Sequence, residues 1–458
     1  MSEETKSTTN QPNELTMGTK IVWALGQSTG RQYITALVST YILVFLTDTF
    51  GVAAGAAGVI MTVAAVWDAI NDPIIGSMAD RTKTRWGTYR PYLLFVPPIW
   101  SVVACLLFAA PDLTATGKVV YTAVLYICYG MLVTALEVPY NALLPTMTKN
   151  EMEKNDTISI STFIASIMIL LVSSFTTNLV SVFGGEDPAR GYLILVLIGG
   201  VLTCITSWLA FAKCKEKYKI EKTKEEETPV AQGIVKLLKI KEMYPMILFW
   251  CFGCILFQII MSSSVYYCMY YLMQPGLITT YMMVISISGM IGVMGLMPII
   301  LRKVRGSMKK AVTYTQIICV VCYLICFIVG GKSIPVLYVV TFIACMFSTM
   351  TNAFRPMTVV GMTDYILLEN GEQMNGLISA IGGFSYKIGT AISNAILSFV
   401  LAATGYVAGA IGGQTDAFMT GINSVRFLVP LAATVLYIIM IQFYPEKKIA
   451  ALKANQEA

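Results

Sequence analysis

The chain contains no histidine, the side chain most often used to bind transition metals or to relay protons near neutrality, so carboxylates must carry any cation chemistry. Charge is scarce as well. Only 13% of residues are charged while 56% are hydrophobic, too apolar a balance for a domain solvated by water. The 11 cysteines are scattered through apolar stretches and form no cluster that would make a disulfide framework or a zinc site. Cys251 and Cys254 make a C-x-x-C, but it lies inside an apolar run with aromatic neighbours, where packing is expected. The first residues, Met1 to Gly18, are rich in Ser, Thr and Asn and lack the basic start, apolar core and small-residue cleavage site of a secretory signal.

What is present is long hydrophobic runs. A helix crosses the hydrocarbon with about 20 mainly apolar residues, so about a dozen spans fit in 458 residues. Apolar stretches run near residues 20 to 48, 54 to 79, 91 to 110, 118 to 147, 158 to 183 and 191 to 212. A second set runs near 243 to 273, 277 to 301, 311 to 330, 334 to 367, 375 to 403 and 418 to 443. This predicts an N-terminal tail over 1–19, one six-helix bundle over 20–212, a linker over 213–242, a second bundle over 243–443 and a tail over 444–458. The linker run KCKEKYKIEKTKEEE is highly charged, and VAQGIVKLLKIK after it sets lysines opposite apolar residues, as in an interfacial helix.

Basic residues fix an expected orientation. Arg81, Lys83, Arg85, Arg90, Lys149, Lys154, the linker and the Arg302 to Lys310 cluster fall on one side, with only Lys118, Arg190 and Lys332 in the opposite loops. The positive-inside rule then puts both termini in the cytoplasm of a plasma (inner) membrane protein. The net charge of +6 is spread over several loops and forms no patch that would suggest nucleic acid. The expected partners are membrane lipid and small molecules.

Two six-helix halves joined by a cytoplasmic linker are the arrangement of major facilitator transporters, whose substrate sites lie near midplane between the halves. The loop GSMADRTKTRWGTYR, with Gly76, Asp80, Arg81, Arg85, Gly87 and Arg90, resembles that superfamily's signature between helices 2 and 3. Its counterpart LRKVRGSMKK keeps basic residues and a glycine but lacks the acid.

The expensive charges are the informative ones. A charged group near the bilayer centre costs roughly 2.5 to 3.5 kcal/mol on insertion scales, and VWDAINDPIIG carries two. Asp68 and Asp72 are four apart with Asn71 between them, which puts three oxygen-bearing side chains on one helical face. Pro73 removes a backbone donor just there. In TALEVPYNALLP, Thr134 and Glu137 share another face. A hard monovalent cation favours oxygen ligands, so Asp68, Asn71, Asp72 and Thr134 suit a sodium cage. Lys387, in GGFSYKIGTAI, is a buried cation that needs a counter-charge and could take the emptied carboxylates. Static salt bridges are the competing reading, but two acids facing one lysine leave an excess negative charge. Arg31 and Arg355 are the other intramembrane cations; each either pairs with a carboxylate such as Glu137 or contacts an anionic or hydroxyl-rich substrate. Tyr33, Tyr140, Tyr266, Tyr267 and Tyr386 suit sugar stacking, with helix packing as the default.

Taken together, YILVFLTDTFG, WDAINDP, RWGTYRPYLLF, VPYNALLPTMT and the segment from Asp364 and Tyr365 to Lys387 resemble the glycoside-pentoside-hexuronide:cation symporters of melibiose permease type. The resemblance spans nearly the whole chain. It implies an all-α membrane protein of major facilitator fold with 12 transmembrane helices in two six-helix bundles. It implies that Asp68, Asn71, Asp72 and Thr134 match the family's sodium positions and that Lys387 matches its helix 11 lysine, with Glu137 and Lys387 coupling the two ligands. The sugar site departs further. Gln32 stands where the melibiose-type pattern has an aspartate, Asn141 replaces a tryptophan, and Thr162 corresponds to a sugar-contacting arginine, while Glu137 keeps the helix 4 acid.

The expectation is sodium-coupled symport of a sugar, glycoside or hexuronide by alternating access, with lithium or protons as substitutes for sodium. Arg31, Gln32, Glu137, Asn141, Thr162, Arg355 and Tyr386 are the expected substrate contacts. Arg31 and Arg355 favour a hexuronide. The alternatives are an amphipathic lysolipid substrate with a similar sodium site, or a non-transporting sugar sensor on the same scaffold. A membrane-embedded enzyme would need a nucleophile and base constellation that the sequence does not offer. No cofactor is expected beyond the co-transported ion, and a monomer is expected.

Overall fold

The computed structural model describes residues 14–457 apart from 219–235, 238, 305 and 371–374. The N-terminal half is built from α1 (Met17–Ser28), α2 (Gly30–Val44), α3 (Ala54–Arg81), α4 (Arg90–Leu107), α5 (Ala115–Met147), α6 (Glu151–Gly184) and α7 (Pro188–Lys213). The rest comprises α8 (Met243–Tyr266), α9 (Leu277–Met290), α10 (Met297–Lys303), α11 (Met308–Val329), α12 (Ile334–Ser348), α13 (Thr351–Asn370), α14 (Asn375–Ala403), α15 (Asp416–Ile441) and α16 (Glu446–Glu457). Among the described residues the only β pairing is an isolated bridge between Thr84 and Gly87. The linker stretch expected to form an interfacial helix lies mostly outside the described residues; Lys236 and Leu237 are helical.

Sequence sets the boundaries in a physical way. Thr16 caps α1 by accepting from Thr19 N at 3.2 Å, Asn150 caps α6 by accepting from Met152 N at 3.0 Å, and Thr415 caps α15 by accepting from Phe418 N at 3.1 Å. Asp187 caps α7, where Pro188 at the first position surrenders a donor the helix would leave unpaired anyway.

Eleven described helical segments are long and apolar enough to cross a membrane. The remaining apolar stretch, near 20 to 48, folds as α1, α2 and a π-helical turn over Phe45–Thr49, and the break at Thr29 keeps it from counting as one uninterrupted helix. The break has a packing cause: a Cβ on Gly30 would run into the backbone of Leu202 and Thr203, so α2 begins where the chain rides directly on α7. Two other predicted spans are also interrupted. The stretch near 277 to 301 becomes α9, a π turn over Ile291–Leu296 and α10; a Cβ on Gly292 would strike the Met346 backbone of α12. The stretch near 334 to 367 is divided between α12 and α13.

Internal packing divides the chain into two compact units, Met1–Val38 with Ile70–Leu113 and Val120–Glu221, and Ser39–Ala69 with Thr114–Val119 and Lys222–Ala458. In the first, small residues let helices approach: Ser101 of α4 donates to Gly200 O of α7 at 3.2 Å, and Ser28 and Ser161 bond α1 to α6 at 2.6 Å. The opposite face of α7 exposes Leu197, Val201, Ile205, Trp208 and Leu209, the pattern of a helix that meets lipid. In the second unit the span Met243–Tyr271 is the most enclosed, with Gly253 against the Tyr437 ring of α15 and Gly389 of α14 against Cys251 and Cys254. Both cysteines are free thiols, buried as packing residues.

Each unit uses the same stitch at a helix start. The Glu216 carboxylate, just past α7, accepts from Thr88 N at 3.0 Å, Tyr89 N at 2.8 Å and Arg90 N at 3.1 Å, and so caps α4. Glu446, just past α15, accepts from Met308 N at 2.9 Å, Ser307 Oγ at 3.1 Å and Lys309 N at 3.4 Å, and so caps α11.

Candidate cation and substrate sites

Asp68, Asn71 and Asp72 fall within one turn of α3. Asn71 is 3% exposed, and the Asp72 carboxylate accepts a hydrogen bond at 2.8 Å from the hydroxyl of Thr134 on α5, itself 5% exposed. A hydroxyl that donates to a carboxylate keeps its own lone pairs free, so the pair turns oxygen, not hydrogen, toward a third party. Asn71 is buried with its Nδ2 unpartnered among the described residues, a polar group that its surroundings leave unused. Separately, Lys387 of α14 donates to the main-chain oxygen of Asp68 at 3.2 Å. Lys387 and the first of the two acids are thus neighbours through the backbone of α3.

The N-terminal substrate candidates form a polar chain across α1, α2 and α5. Arg31, 7% exposed, donates from Nη1 to Glu137 Oε2 at 3.3 Å and from Nε to Gln27 O at 3.0 Å, and Gln27 Nε2 donates to Asn141 Oδ1 at 3.1 Å. Of the two roles open to Arg31, the structure shows the ion pair. The pair is lopsided: the Arg31 side chain is 8% exposed and that of Glu137 47%. Gln32 is half-buried beside it. Thr162 is exposed on α6 and returns its hydroxyl to Ile158 O at 2.9 Å, within its own helix.

Arg355 and Tyr386 come together in the second unit, with the guanidinium over the tyrosine ring at 4.9 Å. Both border a small recess with Trp250, Thr351, Asn352 and Tyr437. Among the described residues Arg355 makes no ion pair, so its planar fork of donors faces an aromatic wall with no carboxylate spoken for.

Sequence reasoning misses two charges, one fully buried and one half-buried. Arg426 of α15 is 0% exposed, donates from Nη2 to Tyr281 Oη at 2.9 Å, and has Nε and Nη1 unpartnered among the described residues. Naming only Lys387, Arg31 and Arg355 as intramembrane cations therefore leaves one out, and a single arginine within the apolar run INSVRFLVP is the signal that could have found it. Asp48, inside YILVFLTDTFG, stands out in the sequence only as part of a motif, yet it accepts from Tyr270 Oη at 2.5 Å.

Comparison with known proteins fits this construction. Residues 26–448 match the family described as MFS/sugar transport protein. The uncharacterized symporter YnaJ of Bacillus subtilis (strain 168) is 30% identical over 91% of this chain and 89% of its own length. The isoprimeverose transporter of Lactiplantibacillus pentosus is 27% identical over 90% of this chain and 86% of its own. The glucuronide carrier protein homolog of Escherichia coli (strain K12) is 26% identical over 94% and 93%. In fold, the crystal structure of the nucleoside transporter NupG covers 93% of this chain with a TM-score of 0.66 at 12% identity. An all-α, multi-pass membrane fold, acids grouped on α3 and near full-length similarity to sugar symporters lead to one assignment: the chain belongs to the MFS/sugar transport family, as a glycoside-pentoside-hexuronide:cation symporter of the major facilitator superfamily.

Proposed function

We propose that this symporter couples sodium to the uptake of anionic glycosides, hexuronides first among them. The observation that carries the cation half is the bond from Thr134 to Asp72, on a helical face shared with Asn71 and Asp68. These are hard oxygen donors in a span where two carboxylates are costly unless a cation offsets them. Lys387, whose ammonium donates to the Asp68 main-chain oxygen, sets a positive charge beside the first of the two acids. Binding of the ion and of the sugar then share the cost of the conformational change that exposes the site alternately to the two faces of the membrane.

The substrate half rests on Arg355. Arg31 already has Glu137, so the arginine able to meet an acid group on a sugar is the one lining the aromatic cleft with Tyr386, whose ring can also stack on a pyranose. The glucuronide carrier homolog among the relatives agrees with this choice. The positive-inside distribution supports both termini in the cytoplasm.

The test is uptake of radiolabelled glucuronides and neutral glycosides into vesicles with and without a sodium gradient. Sodium is expected to raise glucuronide uptake, Asp72→Asn to abolish that response, and Arg355→Gln to reduce glucuronide uptake at least tenfold more than neutral glycoside uptake. Uptake indifferent to sodium and unchanged in Asp72→Asn would defeat the coupling. Equal loss of both substrates in Arg355→Gln would defeat the choice of substrate class.

A further inference from the structure

Asp48 is a carboxylate at the end of the first span remote from the N-terminus, and the cation and sugar chemistry leaves it unused. It lies on the π turn Phe45–Thr49, and its main partner, Tyr270, lies on a second π turn, Tyr267–Tyr271, that continues α8. An extra residue in a helical turn rotates the side chains beyond it by about 100°, and such turns concentrate at functional positions because they are strained relative to α-helix. Here one such turn presents the acid and the other presents the phenol.

The contacts converge on this point. Tyr270 Oη donates to Asp48 Oδ2 at 2.5 Å, Tyr406 donates to Asp48 Oδ1, and Thr47 Oγ1 is 2.9 Å from the same oxygen. Tyr406 reaches the site from the loop between α14 and α15, just after Gly405 at φ +73°. Tyr406 and Tyr270 hydroxyls are 3.1 Å apart, their rings meet edge to face at 5.4 Å, and Gly409 N donates to Tyr270 Oη at 3.0 Å. Thr47 and Tyr266 hydroxyls add a link at 3.1 Å. All these residues belong to the second compact unit. No lysine or arginine pairs with Asp48 among the described residues, so the carboxylate is held by neutral hydroxyls. Water can replace a hydroxyl at a carboxylate with little loss, whereas it replaces a buried ion pair only at high cost. The arrangement suits a closure that is made and broken repeatedly.

We infer that Asp48, Tyr270 and Tyr406 form a latch that holds the end of the first span against the α8 end and the α14–α15 loop, and that releasing it is the step that opens the face opposite the basic loops. The latch assumes the transport reading for its role in the cycle, but its existence as a switchable contact can be measured without any substrate. Breaking it shifts the population toward the state open on that face without touching the acids of α3 or the cleft of Arg355.

The experiment is hydrogen–deuterium exchange of the purified full-length protein, unmodified and as Asp48→Asn and Tyr406→Phe, monitored in peptides covering 41–52, 264–274 and 400–412. Both variants are expected to speed exchange in these three segments about tenfold or more while leaving the α4 and α7 peptides unchanged. Tyr406→Phe removes only a hydroxyl, so it decides the matter if Asp48→Asn loosens the whole chain. Unchanged exchange at the three segments in Tyr406→Phe would overturn the latch, even if sodium-driven uptake is normal. Faster exchange there upholds the latch, even if no sodium-dependent uptake is found. As a functional readout, a released latch raises apparent affinity for substrate offered on that face and lowers the maximal rate, whereas a merely structural contact would lower the amount of folded protein with affinity intact.

Discussion

Replacing Glu216 by alanine removes one carboxylate and strands three donors at once, the N–H groups of Thr88, Tyr89 and Arg90 at the start of α4. Loss of an N-cap costs roughly 0.5 to 2 kcal/mol, and bonds to an ionised acceptor are about twice as strong as neutral ones. The site is half-buried, so water recovers part of the loss, and a net cost of about 2 kcal/mol is expected. Glu446 does the same work for α11 with two backbone donors, one at the longer distance of 3.4 Å, and a serine hydroxyl that rotates freely to water. Its removal should therefore cost about 1 kcal/mol. For a bundle of this size 1 kcal/mol moves a melting midpoint by about 2 to 4 °C, so Glu216→Ala should fall about 4 to 8 °C and Glu446→Ala about half as far. Glu216→Gln, which keeps one acceptor oxygen, should lie between Glu216→Ala and the unmodified protein. Thermal unfolding of the three purified variants in one detergent is the assay. Equal shifts for the two alanine variants, or a shift under about 1 °C for Glu216→Ala, would refute the argument that these carboxylates stabilise by satisfying helix-start donors.

Gly87→Ala should destabilise the same loop: the residue sits at φ +114°, and an added Cβ would lie 2.6 Å from the Glu216 carboxylate, so it combines backbone strain with displacement of the cap. A drop in melting midpoint as large as that of Glu216→Ala, and little further drop in the double variant, checks the coupling. Glu137→Gln should cost more stability than Arg31→Gln, by about 1 to 2 kcal/mol, because it strands a guanidinium whose side chain is 8% exposed while the reverse change strands a carboxylate that is 47% exposed. Comparison of melting midpoints decides it, and the opposite order would overturn the reading of the pair as lopsided. Arg426→Met should leave stability unchanged or raise it, since an apolar chain of similar length replaces a fully buried cation with two unpartnered nitrogens. A fall of more than about 3 kcal/mol would instead mark Arg426 as half of a tightly paired charge.

The membrane class and the acidic span are legible in the sequence because both rest on strong, local signals: long apolar runs, and charges that cost too much to be accidental. Asp68, Asn71 and Asp72 can be placed on one face from spacing alone, and Thr134 meets Asp72 as the chemistry of oxygen ligands suggests. Arg31 is ambiguous in sequence because spacing within a helix says nothing about which partner a neighbouring helix offers; only the fold brings Glu137 within 3.3 Å. The breaks at Thr29, at Ile291–Leu296 and between α12 and α13 escape for a related reason. Those at Thr29 and Ile291–Leu296 answer to close approach at Gly30 and Gly292 by segments more than fifty residues away in the chain, which no hydropathy window sees. Asp48 is hidden by its π turn, since a periodicity of 3.6 misplaces any side chain beyond an extra residue.

The guanidinium of Arg355, facing its cleft without a carboxylate, bears on the electrical side of transport. One sodium ion entering with one sugar acid moves no net charge, so the interior-negative voltage would neither drive nor brake that cycle. The same ion entering with an uncharged sugar would gain about 2.3 kcal/mol from each 100 mV. A carrier of anionic sugars built this way would run on the sodium concentration difference alone, and clamping the voltage during uptake would reveal which kind of cargo its arginine was selected to meet.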